Sequence, residues 1–161
     1  MKAVLPLRFL SGNNGQKSHI VIDAVINGLE ATLIIDSGAS NCVIDSSRAL
    51  IFDLEPDFLF MNESAVGLGS DSISSSLSRA ITFELGDFVL ERFPFVLLDL
   101  GIINDTFRKS GCSPVDGIIG TDLLLAGNAI IDYKSATISF SGNKRMLQKF
   151  FRQPFIFSGD E

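Results

Sequence analysis

The sequence contains little of several residue types, with no tryptophan, one tyrosine, one histidine and two cysteines in 161 residues. Two cysteines at unrelated spacing, Cys42 and Cys112, make neither a disulfide framework nor a zinc motif. No apolar run approaches the roughly 20 residues that span a membrane. The apolar stretch after Met1 is broken by Pro6 and Arg8, so no signal peptide is predicted. We therefore expect a cytoplasmic protein with no metal, cofactor or membrane partner.

Clusters of positive charge are also scarce. Lysine and arginine total 13 against 19 acidic residues, which gives a net charge of −6, and the longest basic run is Lys144-Arg145. Because binding to phosphate backbones needs a cationic surface, nucleic acid is not an expected partner. The apolar content of 46% and the 14 phenylalanines instead indicate a folded globular chain of single-domain size.

Short strand-like segments separated by turn residues run through most of the chain. Val4 to Leu10 reads as one strand, Asn27-Gly28 marks a hairpin, and Glu30 to Ile35 ends in three apolar residues, which implies burial on both faces. Ile102 to Ser110 reads as a helical or irregular insertion. A short helix is predicted from Thr121, which lies near its N-cap.

This pattern predicts an all-β, closed, barrel-like domain with a single lobe and one or two short helices. The predicted domain covers residues 1–141, and residues 142–161 form a C-terminal extension of it. The extension is rich in phenylalanine. It can cover the core, add to a dimer sheet or bind a partner, and the first two are favoured.

The triplet Asp36-Ser37-Gly38 is the strongest chemical signal. Alone it is weak, since chance supplies an Asp-(Ser/Thr)-Gly in roughly one chain in ten of this length and all three residues are common in turns. Its context is more specific. The triplet follows a buried strand, a glycine-rich hairpin tip at 67–71 comes some thirty residues later, and Ile118-Ile119-Gly120 opens a helix.

In this order, these strings resemble the retropepsin-like, or retroviral-type, aspartic peptidases. The matching strings are Leu33–Ala39, Gly67-Leu68-Gly69 and Asp116–Leu124, and the resemblance spans Val4 to Phe140. It implies an acid-protease barrel and an endopeptidase that hydrolyses peptide bonds in extended segments of a peptide or protein substrate. A water between two carboxylates, which share a proton, carries out this chemistry without a cofactor.

The chain has one such triplet, whereas a two-lobed relative would carry two. A two-fold homodimer would place the same residue of each subunit at the axis and supply the second carboxylate. The resemblance assigns catalytic roles to Asp36, to Ser37 as a brace across the dimer axis, and to Gly38. It assigns substrate contacts to Gly38, Ala39, the flap residues Gly67, Leu68 and Gly69, and Ile118 and Ile119 beneath the loop.

Several residues admit other interpretations. Asp116 reads as structural rather than as a second carboxylate, Cys42 as a buried thiol rather than a nucleophile, and His19 as a surface strand residue. Thr121-Asp122 stands where retroviral members have an arginine that often braces the dimer. An inactive peptide-binding or dimerisation module of the same fold is the alternative function, and a β-barrel binding protein with a chance triplet is a weaker one.

Overall fold

A computed structural model describes residues 1–57 and 75–152. It contains ten strands and three α-helices in these ranges, together with a 3₁₀ turn at Ser46–Arg48. The strands are Lys2–Pro6 (β1), Arg8–Ser11 (β2), Lys17–Ile26 (β3), Leu29–Ile35 (β4), Val43–Asp45 (β5), Ser76–Leu85 (β6), Phe88–Leu98 (β7), Gly117–Ile119 (β8), Ile130–Asp132 (β9) and Thr137–Ser141 (β10). The helices are Gly101–Lys109 (α1), Thr121–Ala126 (α2) and Lys144–Arg152 (α3).

Six strands close into a barrel. They follow the order β3, β4, β8, β5, β7 and β6, and β6 pairs again with β3. Two of the pairings, β4 with β8 and β5 with β7, are parallel, and the others in the ring are antiparallel. A second sheet has the order β1-β10-β9. The predicted all-β, closed-barrel fold class is confirmed.

The strand that leads to the Asp36 triplet is buried on both faces, as its apolar run predicts. Leu33 and Ile35 lie in the main hydrophobic core, whereas Ile34 lies in a second cluster beside Phe107 and Val115. Removal of each such side chain from water contributes about 1.5–3 kcal/mol to stability. The end of β4 is therefore held firmly, and so is the start of the loop that follows it.

Local turn chemistry explains the hairpin between β3 and β4. Asn27 and Gly28 have φ values of 49° and 83°, the left-handed pair that a two-residue hairpin needs, so that hairpin is confirmed.

The single strand predicted from Val4 to Leu10 is wrong. β1 pairs with β10, and β2 pairs with β3 in the other sheet. The chain changes sheet at Leu7, whose amide still donates to the Ala136 carbonyl at 2.8 Å beside β10, whereas Arg8 already pairs with Val21 of β3.

Three helices stand where one or two were expected, because part of the C-terminal extension is helical. Leu147 and Phe151, one turn apart on α3, are buried in the main core, and the Phe151 ring centroid lies 4.7 Å from that of Phe93. The guanidinium of Arg79 donates to the Phe151 carbonyl, in the last turn of α3, at 2.7 Å. Residues 144–152 thus cover the core, as one of the favoured interpretations of the extension predicts.

Residues 102–110 are largely helical, since α1 covers most of them. Within the described ranges, no helix combines the length and apolar character needed to cross a membrane.

Candidate active site

The parallel pairing of β4 with β8 positions Asp36. Ile35 lies opposite Ile119 in this pair, and the Asp36 amide donates to the Ile119 carbonyl at 3.0 Å. Because the carboxyl ends of neighbouring parallel strands meet at one edge of the sheet, the loop after β4 and the helix after β8 start side by side. The sequence strings around Asp36 and Gly120 are therefore adjacent in space.

The Asp36 side chain is exposed at this edge. Its Oδ1 accepts a hydrogen bond from the Gly38 amide at 2.8 Å, and its carbonyl accepts one from the Ala39 amide at 3.2 Å. Within the described residues, the carboxylate has no other hydrogen-bond partner. The loop thus holds one oxygen of an exposed carboxylate, and the other accepts no hydrogen bond from the described residues.

The rest of the predicted catalytic loop is also at the surface. Ser37 and Gly38 are exposed and Ala39 is half-buried, so the structure brings these residues together around Asp36. A Cβ at position 38 would lie 3.1 Å from Asp36 Oδ1. Glycine at this position therefore leaves room for the carboxylate beside the amide that holds it. The brace from Ser37 to a second subunit stays a prediction.

The start of α2 clamps this loop from below. The Thr121 hydroxyl donates to the Ser37 carbonyl at 2.8 Å, the Thr121 amide to the Ala39 carbonyl at 2.8 Å, and the Asp122 amide to the Ser40 carbonyl at 3.2 Å. Gly120 permits this approach, because a Cβ there would lie 2.5 Å from the Asn41 carbonyl oxygen. Gly120 is the N-cap of α2 and Thr121 its first residue. The Thr121 hydroxyl thus holds the loop instead of capping the helix.

Asp122 and Cys42 make a second set of contacts behind the loop. The Asp122 carboxylate accepts the Cys42 amide at 3.1 Å and the Cys42 thiol at 3.2 Å. Burial raises the pKa of the Asp122 carboxyl. Burial, and secondly the charge of Asp122, raise the pKa of the Cys42 thiol well above its usual range. A thiol that stays protonated is a poor nucleophile, which supports the structural interpretation of Cys42.

The predicted substrate contacts elsewhere have different positions. Ile119 is fully buried in the main core beneath the loop, and Ile118 is half-buried against the second cluster. Both support the loop from below, and their contact with substrate stays a prediction. The flap residues Gly67, Leu68 and Gly69 lie outside the described residues.

Asp116 belongs to a different environment. Its carboxylate forms an ion pair with the Arg48 guanidinium and accepts the Thr32 amide at 2.8 Å. Its backbone carbonyl also accepts the Asp45 amide at 2.9 Å. Both carboxylate oxygens are thus engaged within the subunit, which fits a structural role. His19 is exposed on β3, in a T-shaped contact with the Phe107 ring at 5.1 Å between centroids, as a surface strand residue should be.

The contacts of Thr121 and Asp122 with the loop were not evident from the sequence. There, the two residues were noted only because they stand where retroviral peptidases have an arginine. The available signal was their place directly after β8, at the same sheet edge as Asp36. Among residues 1–57 and 75–152, no three His, Cys, Asp or Glu side chains lie close enough to hold a metal ion.

Comparisons with known proteins agree with this geometry. The family model for aspartyl protease matches residues 22–123, more than half of the chain, from β3 through the Asp36 loop to α2. A search of curated proteins gave no significant match.

Two solved structures share the fold. A retropepsin-like aspartic protease from Rickettsia conorii aligns with a TM-score of 0.51 and 13% identity, over 87% of this chain and 88% of that one. The retroviral protease-like domain of Ddi1 from Leishmania major aligns with a TM-score of 0.54 and 18% identity, over 80% of this chain and 92% of that one. This chain therefore belongs to the aspartyl protease family and has the retropepsin-like fold.

Proposed function

We propose that this protein is an aspartic endopeptidase that acts as a homodimer, with the Asp36 carboxylate of each subunit forming the catalytic pair. One observation carries the proposal. Asp36 is an exposed carboxylate at the end of a buried strand, with one hydrogen bond from its own loop. Asp116, the other carboxylate that the motif strings contain beside a glycine, is already paired within the subunit. Each subunit therefore offers half of a site.

The chemistry follows from bringing two such carboxylates together. Two like charges at hydrogen-bond distance do not both ionise readily, so the pair shares one proton and titrates as a unit. The ionised member takes a proton from a water held between them, and the protonated member polarises the scissile carbonyl. The Gly38 amide holds one oxygen of each Asp36, so that the other is free to face the water and the partner.

An exposed sheet edge supports dimerisation. In the described residues, β9 pairs only with β10, and all three of its side chains are at least partly exposed. Ile130 is 66% exposed, and Val4 on the same sheet is 60% exposed. An unpaired strand edge with apolar side chains is a template for pairing with another chain. Because β9 follows α2, this edge is close in sequence to the clamp on the active-site loop.

The test combines oligomeric state with cleavage. We expect sedimentation equilibrium to show a dimer and a quenched-fluorescence library of extended peptides to be cleaved, with specific activity rising with protein concentration. Ile130→Lys places a charge on the β9 edge and should weaken the dimer, and with it activity at low concentration, by at least about tenfold. Ile81→Lys is the matched control, since Ile81 is a strand isoleucine with 68% exposure on β6, which is paired on both sides.

Two results would contradict the proposal. An active monomer would show that no second Asp36 is needed. A stable dimer that binds the peptides without cleaving them would favour the inactive binding module.

An intracellular, reducing location is part of the proposal, because Cys42 and Cys112 are both free buried thiols. Cell fractionation tests that part, and recovery of the protein only from the culture medium would contradict it.

A further inference from the structure

We propose that Thr121 is a positioning residue for the Asp36 carboxylate and acts on it through the Ser37–Gly38 peptide group. The catalytic consequence rests on the proposed function, whereas the hydrogen-bond chain itself is a property of the folded subunit.

Two hydrogen bonds meet on one peptide group. The Thr121 hydroxyl donates to the Ser37 carbonyl oxygen at 2.8 Å. The amide of the same peptide group, that of Gly38, donates to Asp36 Oδ1 at 2.8 Å. A continuous chain therefore runs from the first side chain of α2, through one amide, to the carboxylate.

The order of donors gives this chain a direction. A hydrogen bond to a carbonyl oxygen draws electron density from the amide nitrogen and makes its N–H a stronger donor, an effect of about 10–30% per bond in condensed phases. The receiving bond is charge-assisted when Asp36 is ionised, so it is among the stronger hydrogen bonds of a protein. Thr121 should thus tighten the bond that fixes Oδ1 and the plane of the carboxylate.

The hydroxyl is held in place by its helix. The Thr121 amide donates to the Ala39 carbonyl and the Asp122 amide to the Ser40 carbonyl, while Asp122 also accepts the Cys42 amide. These contacts anchor α2 to both sides of the loop. Loss of the hydroxyl alone should therefore remove one hydrogen bond and leave the backbone clamp in place.

The experiment compares Thr121→Val, which keeps the side-chain shape without the donor, with Thr121→Ser, which keeps the donor. The first readout is the proton chemical shift of the Gly38 amide in a ¹H–¹⁵N spectrum. We expect the resonance to move upfield in Thr121→Val and to stay near its wild-type position in Thr121→Ser. Asp36→Asn, which removes the negative acceptor, should move it upfield as well. If Thr121→Val perturbs the remaining spectrum, Thr121→Ala replaces it.

The second readout is steady-state cleavage. Loss of one hydrogen bond in the site should lower kcat by about two- to tenfold with little change in KM, and Thr121→Ser should restore it. An unmoved Gly38 resonance in a folded Thr121→Val variant, or an unchanged kcat in an active enzyme, would overturn the positioning role. A shifted resonance in a protein that cleaves nothing would instead leave the chain of hydrogen bonds standing and refute the proposed function.

Discussion

The molecule contains two groups of polar residues that differ in how completely they are paired. The paired polar cluster, which consists of the buried Asp45, Asn104 and Asp116 and the half-buried Arg48, lies between the 3₁₀ turn, α1 and the start of β8. The candidate active-site loop, residues 36–42, follows β4 at the edge where β4 and β8 end. In the cluster, the Asn104 side chain makes three hydrogen bonds. It accepts the Val115 amide, and it donates to the Val115 carbonyl and to the Asp45 carboxylate.

The hydrogen-bond partners of Asp116 and Asp36 show how the two regions differ. Asp116 has the Arg48 guanidinium and the Thr32 amide as partners, so its carboxylate holds the 3₁₀ turn and β4 to the start of β8. Asp36 has one backbone amide and an otherwise open carboxylate. No buried side-chain nitrogen or oxygen in the described residues lacks a hydrogen-bond partner. The Asp36 carboxylate oxygen without a hydrogen bond belongs to an exposed side chain, so solvent can reach it.

The sharpest test of this difference is Asp36→Asn. We expect cleavage to fall by at least about a thousandfold, because the general base is lost. The free energy of unfolding should change by less than about 0.5 kcal/mol, because the exposed asparagine still accepts the Gly38 amide. Peptide cleavage and urea unfolding measure the two effects. A variant that keeps its activity would exclude Asp36 as the catalytic carboxylate.

Asp116→Ala should show the reverse pattern. It leaves the Thr32 amide and the Arg48 guanidinium without their acceptor, so we expect a loss of about 2–3 kcal/mol in unfolding free energy. Asp116→Asn keeps an acceptor for Thr32 and should lose less. Urea unfolding gives the stability, and activity per folded dimer should be retained. If Asp116→Asn abolished turnover in a folded dimer, Asp116 would belong to the active site.

The smallest effect concerns Asp122, which lies between the two regions in burial. Because burial raises the pKa of its carboxyl, the folded state binds more protons than the unfolded state between the unfolded and folded pKa values. The contribution of Asp122 to stability is therefore greatest at low pH and declines as pH rises through that window. Asp122→Asn cannot titrate, so wild type should lose stability relative to it between the acid limit and neutrality. Urea unfolding across a pH series measures this, and a constant difference would contradict it.

Much of the fold was predictable because it depends on local patterns. The left-handed turn at Asn27-Gly28 follows from the residue types that tolerate positive φ. The apolar run at Leu33, Ile34 and Ile35 predicts a strand buried on both faces. The break between β1 and β2 at Leu7 was not predicted, because its cause is the pairing of β1 with the distant β10 and not the local composition.

The helical extension also depended on tertiary contacts. α3 has only two buried side chains, Leu147 and Phe151, and a nine-residue helix is marginal without a surface to pack on. Whether the phenylalanines of the extension would cover the core could not be read from the sequence alone. The described part of α3 does so through contacts with β7 and through Arg79, which binds its last turn.

The barrel class, Asp36 as the candidate catalytic carboxylate and the hypothesis of a second copy of it could all be predicted from the sequence, because each follows from a local pattern or a count of motifs. The contacts that hold the Asp36 loop could not be predicted in this way. Thr121 lies 84 residues from Ser37, and Asp122 lies 80 residues from Cys42. The parallel pairing of β4 with β8 brings these residues together in space. No local pattern specifies which distant strand will end beside the loop.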